Sequence, residues 1–233
     1  EFRRVLFRSG VWKDLVAYAD NYLDYLDDLV VDPMYDAGVE PKVAITELMD
    51  WPRHPSLGNV TSISGALWYS AIINQSIRSE GLIELITHSA LLNHGGGLRK
   101  DRSVVFTDPV HWANYMYSTQ KGTIPVSVLN DTPTFSSSGK YITKREDMPL
   151  VDVIALKDPG EKSLSIFLCN RSYDAKQKVK INIENWNFEN EACIMLLHAD
   201  DIALRNSWKS PDNIYPVFDN IKINNGQVAY EMP

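Results

Sequence analysis

One carboxylate stands where a strand runs out into a long loop. Lys42-Val-Ala-Ile-Thr-Glu47 reads as a short buried strand ending in an acid, and in an α/β region the carboxyl end of a strand is where loops converge and catalytic groups project. A carboxylate there can attack, activate water or protonate a leaving oxygen, and glycoside hydrolysis uses two such groups flanking one bond. The plainer alternative is a surface or capping glutamate. A second candidate is Asn93-His94 ahead of Gly95-Gly-Gly97. This is a solvent-facing connector or a loop open to a ligand, and it lacks the strand-to-helix spacing of the nucleotide motifs. His54, His88, His111 and His198 have no metal-ligand spacing, so no metal site is expected. There is no Gly-x-Ser-x-Gly elbow to indicate a serine hydrolase.

The elements that must position these groups divide the chain in two. From Val11 to Val31 the apolar residues Leu15, Ala19, Tyr22, Leu23, Leu26, Leu29 and Val30 recur at three and four, the period of an amphipathic helix with Asp24 and Asp27 on its solvated face. Asp32-Pro33 and Gly38 are expected to break it. After the strand ending at Glu47 comes a long loop, Leu48 to Ser62, containing Trp51. Helices are expected over Ile63 to Arg78, over Leu82 to His88, and from Asp108-Pro109 onward, the last by its cap-then-proline order. Ala90 to His94 is left open between helix end and strand.

Beyond Gln120 β-branched runs alternate with turn residues. Strands are expected at Ile124–Leu129, Leu150–Leu156, Ser163–Cys169, Lys178–Ile183, Ala192–Leu197, Pro216–Ile223 and Gln227–Tyr230, with Asp158-Pro-Gly160 and Asn224-Asn-Gly226 as hairpin turns. Many short strands with frequent turns predict an antiparallel sandwich of jelly-roll type. The fold class is therefore α/β followed by all-β, with domains at 10–119 and 120–233. Glu1 to Ser9 resemble a translated adapter segment and are set aside, so the start of the chain says nothing of a signal peptide.

Bulk properties exclude several classes. A net charge of −7 argues against a nucleic-acid surface, and no apolar run reaches the ~18 residues of a membrane span. Hydrophobic and charged fractions of 44% and 23% are those of a soluble globular protein. Cys169 and Cys193, the two cysteines, lie in apolar runs where buried free thiols are expected.

Val43-Ala-Ile-Thr-Glu47, Ala66-Leu-Trp-Tyr-Ser-Ala-Ile-Ile-Asn74, His88-Ser-Ala-Leu-Leu-Asn-His-Gly-Gly-Gly-Leu-Arg-Lys100 and Asp108-Pro-Val-His111, together with the tail from Pro216 to Pro233, resemble the family 51 glycoside hydrolases, the α-L-arabinofuranosidases. The resemblance implies the C-terminal part of a (β/α)₈ barrel followed by a β-sandwich that lacks its last strand. It places the nucleophile of a retaining reaction at Glu47, the eighth strand at Ala90 to His94, and Asn93 and His94 at the substrate. The family's acid/base has no counterpart here. The chain reads Thr46-Glu47-Leu48 where family members commonly carry an acid before the nucleophile and tryptophan after it. Trp51 is then either the aromatic platform for a furanose or a loop anchor. The implied partner is an arabinose-containing oligosaccharide or polysaccharide, or a glucoside or xyloside for a sister activity. No cofactor is required, and a homo-oligomer is compatible. The alternative is a non-catalytic, carbohydrate-contacting or structural fragment.

Overall fold

A long N-terminal helix, α1 (Phe2–Leu26), leads the chain. The computed structural model describes residues 2–49, 60–186 and 189–233, without the side chains of residues 2–10. The helical backbone begins at Phe2, so the segment set aside by sequence is continuous with the helix that follows. Trp12, Val16 and Ala19 are buried on its inner face, at the three-and-four spacing of a core stripe. A π-helical turn, Asp27–Val31, follows, and then α2 (Asp32–Asp36) with Pro33 in its first turn. Proline cannot donate to the preceding turn, and the wider ring, closed by Asp32 N–H onto the Asp27 carbonyl, admits it without ending the helix. The break therefore comes after Asp36, with Gly38 at φ +73°, and not at Asp32-Pro33. The extra residue of the π-turn also rotates the apolar face: Val31 is buried while Leu29 is 57% exposed.

β1 (Val43–Ile45) and β2 (Ile83–Ile86) pair in parallel, joined through α3 (Ile63–Arg78). This is a βαβ unit, and it corrects two expectations. The segment expected as a helix from Leu82 to His88 contains β2, because Ile83 and Ile86 meet β1 across a ladder that local periodicity cannot see. Ala90 to His94, implied as the eighth strand, is a run of bends with one parallel bridge from Leu92 to Leu98. Helix α3 is the centre of the main core. Trp68, Tyr69, Ala71 and Ile72 are buried against Ala19, Leu26, Ile45, Ile83 and Val110, each large apolar side chain contributing about 1.5–3 kcal/mol.

A hairpin of β3 (Leu98–Asp101) and β4 (Val104–Thr107), absent from the sequence reading, precedes α4 (Pro109–Ser118). The strand-rich remainder comprises β5 (Ile124–Val126), β6 (Thr134–Phe135), β7 (Met148–Pro149), β8 (Val151–Lys157), β9 (Leu164–Asn170), β10 (Gln177–Asn182), β11 (Glu191–Leu196), β12 (Val217–Lys222) and β13 (Gln227–Met232). All pairs in this region are antiparallel: β5-β8-β9, β6-β7, β10-β13 and β11-β12. Asn225 and Gly226 both take positive φ, and Asn224 and Gln227 exchange backbone hydrogen bonds, the geometry of a tight two-residue turn. The strands it joins nevertheless part: β12 pairs with β11 and β13 with β10. Cys169 is buried and free; Cys193 is free but exposed, on an outward position of β11.

Helix α1 is tied to the strand-rich region by polar contacts. The buried Asp14 carboxylate accepts hydrogen bonds from the backbone N–H groups of Ser138, Gly139, Lys140 and Tyr141 and from Ser138 Oγ. Trp12 Nε1 donates to the Arg171 carbonyl at 2.8 Å. Asp24 pairs with Arg145, so this face carries more than solvent.

Candidate active site at the end of the first strand

Glu47 lies two residues past β1 and is exposed. The segment after β2 runs beside it: Thr87 N–H donates to the Ile45 carbonyl at 2.8 Å, Thr87 Oγ1 to the Thr46 carbonyl at 2.6 Å, and Ser89 N–H to the Leu48 carbonyl at 3.2 Å. These bonds carry the pairing beyond the named strands and bring Ser89 opposite Glu47. Ser89 Oγ donates to Glu47 Oε1 at 2.8 Å, and the same oxygen lies 2.5 Å from His94 Nδ1. Ser89 is buried, whereas Glu47 and His94 face solvent. One oxygen of the carboxylate is thus held by a buried hydroxyl, and the group stands open to solvent.

His88 packs beneath this cluster. Its ring centroid is 3.8 Å from that of Tyr69, and Nδ1 is 3.2 Å from the Leu48 carbonyl. Burial lowers its pKa and raises that of the Tyr69 phenol to about 12, so both stay neutral and hold the exit of β1 by packing.

Asn93 takes φ +56° and its Oδ1 accepts the Lys100 backbone N–H at 2.7 Å. That fixes the turn into β3, the local use for which asparagine suits a left-handed position. Gly95, Gly96 and Gly97 are buried, and the last two leave no room for a side chain. A Cβ on Gly96 would lie 2.5 Å from Leu91 Cα; one on Gly97, at φ +83°, would lie 2.7 Å from Val110 Cγ1. The glycines therefore seat the loop against its own backbone and α4, which sets aside the solvent-facing connector, one of the two readings of this stretch. Trp51 lies outside the described residues, as does His54.

Asp108, just past β4, closes back on this loop, its N–H donating to the Gly97 carbonyl at 2.6 Å. It precedes α4 as expected, but its carboxylate binds Arg99 of β3 instead of capping the helix. Burial, partly offset by Arg99, pushes its pKa up to about 6.

Sequence reading missed Ser89 and a second polar cluster. Asp152 in β8 accepts from Asn74 Nδ2 at 2.7 Å and from Arg78, and Arg171 Nη2 lies 3.1 Å from it, an ion pair without a hydrogen bond. Arg171 Nη1 also reaches Asp20 of α1 at 2.9 Å, and Tyr117 Oη donates to Asn74 Oδ1 at 2.7 Å. Burial, reinforced by Asp152, pushes the neighbouring Cys169 thiol up to about 12. The signal was a lone Asp inside the apolar run Leu150–Leu156.

Residues 37–233 match the family model of the α-L-arabinofuranosidase C-terminal domain. Among solved structures, a family 51 α-L-arabinofuranosidase from Thermotoga petrophila is similar at TM-score 0.74 and 19% identity, over 87% of this chain and 43% of that one. An α-L-arabinofuranosidase from Thermotoga maritima, in complex with arabinose, is similar at TM-score 0.76 and 17% identity, over 97% and 48%. A family 51 enzyme from Bifidobacterium longum gives TM-score 0.76 and 13% identity over 97% and 47%. The chain spans less than half the length of these structures, and they share its fold. Among curated proteins no sequence matches.

Proposed function

Because the chain belongs to the α-L-arabinofuranosidase C-terminal domain family, we propose that it serves as the C-terminal part of a retaining glycoside hydrolase that releases non-reducing-end α-L-arabinofuranosyl residues from arabinose-containing glycans. In this reading residues 10–119 are the last part of a (β/α)₈ barrel and residues 120–233 a β-sandwich that braces it. The parallel unit β1-α3-β2 supports the first assignment and the all-antiparallel pairing of β5 to β13 the second.

Glu47 is the nucleophile. It attacks the anomeric carbon to give a glycosyl-enzyme, while a second carboxylate, from a part of the enzyme outside this chain, protonates the departing oxygen and then activates water. Asn93 and His94 border the sugar site, with Trp51 as its aromatic wall. No cofactor enters these steps. The observation that carries the reading is the placement of Glu47: a carboxylate just past a parallel strand, open to solvent, with one oxygen held by a buried hydroxyl.

The test is hydrolysis of 4-nitrophenyl α-L-arabinofuranoside by the full-length enzyme that carries this chain, beside the glucoside and xyloside. Glu47-dependent cleavage of the arabinoside is expected; equal rates with Glu47→Gln would remove the nucleophile assignment.

A further inference from the structure

We propose that Ser89 and His94 are positioning residues that fix which oxygen of Glu47 is presented for attack, an inference that rests on the reading of Glu47 as nucleophile. An ionised carboxylate only accepts, so the hydrogen in the 2.8 Å contact belongs to Ser89 Oγ. A serine hydroxyl has one hydrogen. In the 2.5 Å contact to His94 Nδ1 the serine oxygen must therefore accept, and Nδ1 must carry the proton. The result is a directional chain, His94 Nδ1–H to Ser89 O–H to Glu47 Oε1. It stops the serine rotor from turning away and holds Oε1, while Oε2 takes no hydrogen bond among the described residues.

The backbone is built to allow this chain. Ser89 is 5% exposed and tethered by its N–H to the Leu48 carbonyl, so its side chain has a fixed origin. A Cβ at Gly95 would lie 3.0 Å from Ser89 Cβ and 3.1 Å from Met49 Cγ. Glycine at that position lets the loop fold back far enough for His94 to reach the serine.

Two measurements test the proposal separately from the nucleophile assignment. The first uses this chain, labelled with ¹⁵N-histidine, at a pH where His94 is neutral. A protonated Nδ1 is expected for His94, changing to protonated Nε2 in Ser89→Ala and in Glu47→Leu, where Ser89 is free to donate to the ring. Protonated Nε2 in the unaltered chain would overturn the proposal whatever Glu47 does in catalysis. The second uses the full-length enzyme. Ser89→Ala should lower kcat on the order of tenfold to a hundredfold with KM little changed; His94→Leu should lower kcat by as much, and His94→Asn, which keeps an N–H near the Nδ1 position, should recover most of that loss. Equal kcat for His94→Asn and His94→Leu would overturn the positioning role, and full activity in Glu47→Gln would remove the nucleophile while leaving the tautomer result to stand alone.

Discussion

Asp152 and Glu47 are carboxylates at comparable places, one in a strand and one just past a strand, yet their surroundings differ in kind. Asp152 is 1% exposed and meets Asn74, Arg78 and Arg171, which reach it from α3 and from the end of β9. Asp14 is equally buried and saturated by a loop of backbone N–H groups. Glu47 is exposed and takes one hydroxyl. A buried carboxylate with both oxygens bonded to the protein joins parts of the fold and has neither oxygen open to a substrate. A carboxylate with one oxygen held and the other open contributes little to stability and is available to react.

This contrast orders the expected effects of removing each acid. Asp152→Ala leaves the buried Arg171 guanidinium with Asp20 alone and takes the acceptor from Asn74 and Arg78, and should destabilise by about 3–5 kcal/mol, read from chemical denaturation. If the loss were below about 1 kcal/mol, Asp152 would not be the junction of α1, α3 and β8 described here. Asp14→Ala strips acceptors from several N–H groups at once and should lose about 2–4 kcal/mol, with faster hydrogen exchange at Ser138 to Tyr141.

Asp108 sharpens the comparison through pH. Its pKa is raised from 3.8 to about 6 in the folded protein, so the folded state binds this proton more tightly than the unfolded state does. Stability from this group is then present at low pH and lost as pH rises from about 4 to 6, by on the order of 1–3 kcal/mol. Asp108→Asn should flatten that part of the stability profile; an unchanged profile would show that Arg99 cancels the effect of burial. The smallest effect belongs to Glu47→Gln, expected within about 0.5 kcal/mol of the unaltered protein because the site is exposed and the amide can still accept from Ser89.

The sequence made local features legible and left non-local ones hidden. β8 and β9 fall within a residue of the runs expected for them, because β-branched residues and the Asp158-Pro-Gly160 turn are local signals. The turn at Asn224-Asn-Gly226 was also legible, but not that its two strands would pair with β11 and β10, since partner choice depends on distant chain. Leu82 to His88 was misread because an apolar run this short fits either period until β1 is placed beside it. The place of Glu47, an exposed acid just past a strand, was legible from the apolar run before it. Ser89 carried no signal of its own: a serine next to histidine in an apolar segment looks like any other until the ladder from Ile45 to Leu48 brings it to the carboxylate.

The central claim is that Glu47 is a chemical group and not a structural one, and the most direct measurement is turnover of 4-nitrophenyl α-L-arabinofuranoside by the full-length enzyme with and without Glu47→Gln, alongside a thermal melt of each. The account predicts a loss of turnover of at least about a thousandfold with the melting temperature essentially unchanged. Retained turnover, or a loss that follows unfolding of the variant, would contradict it.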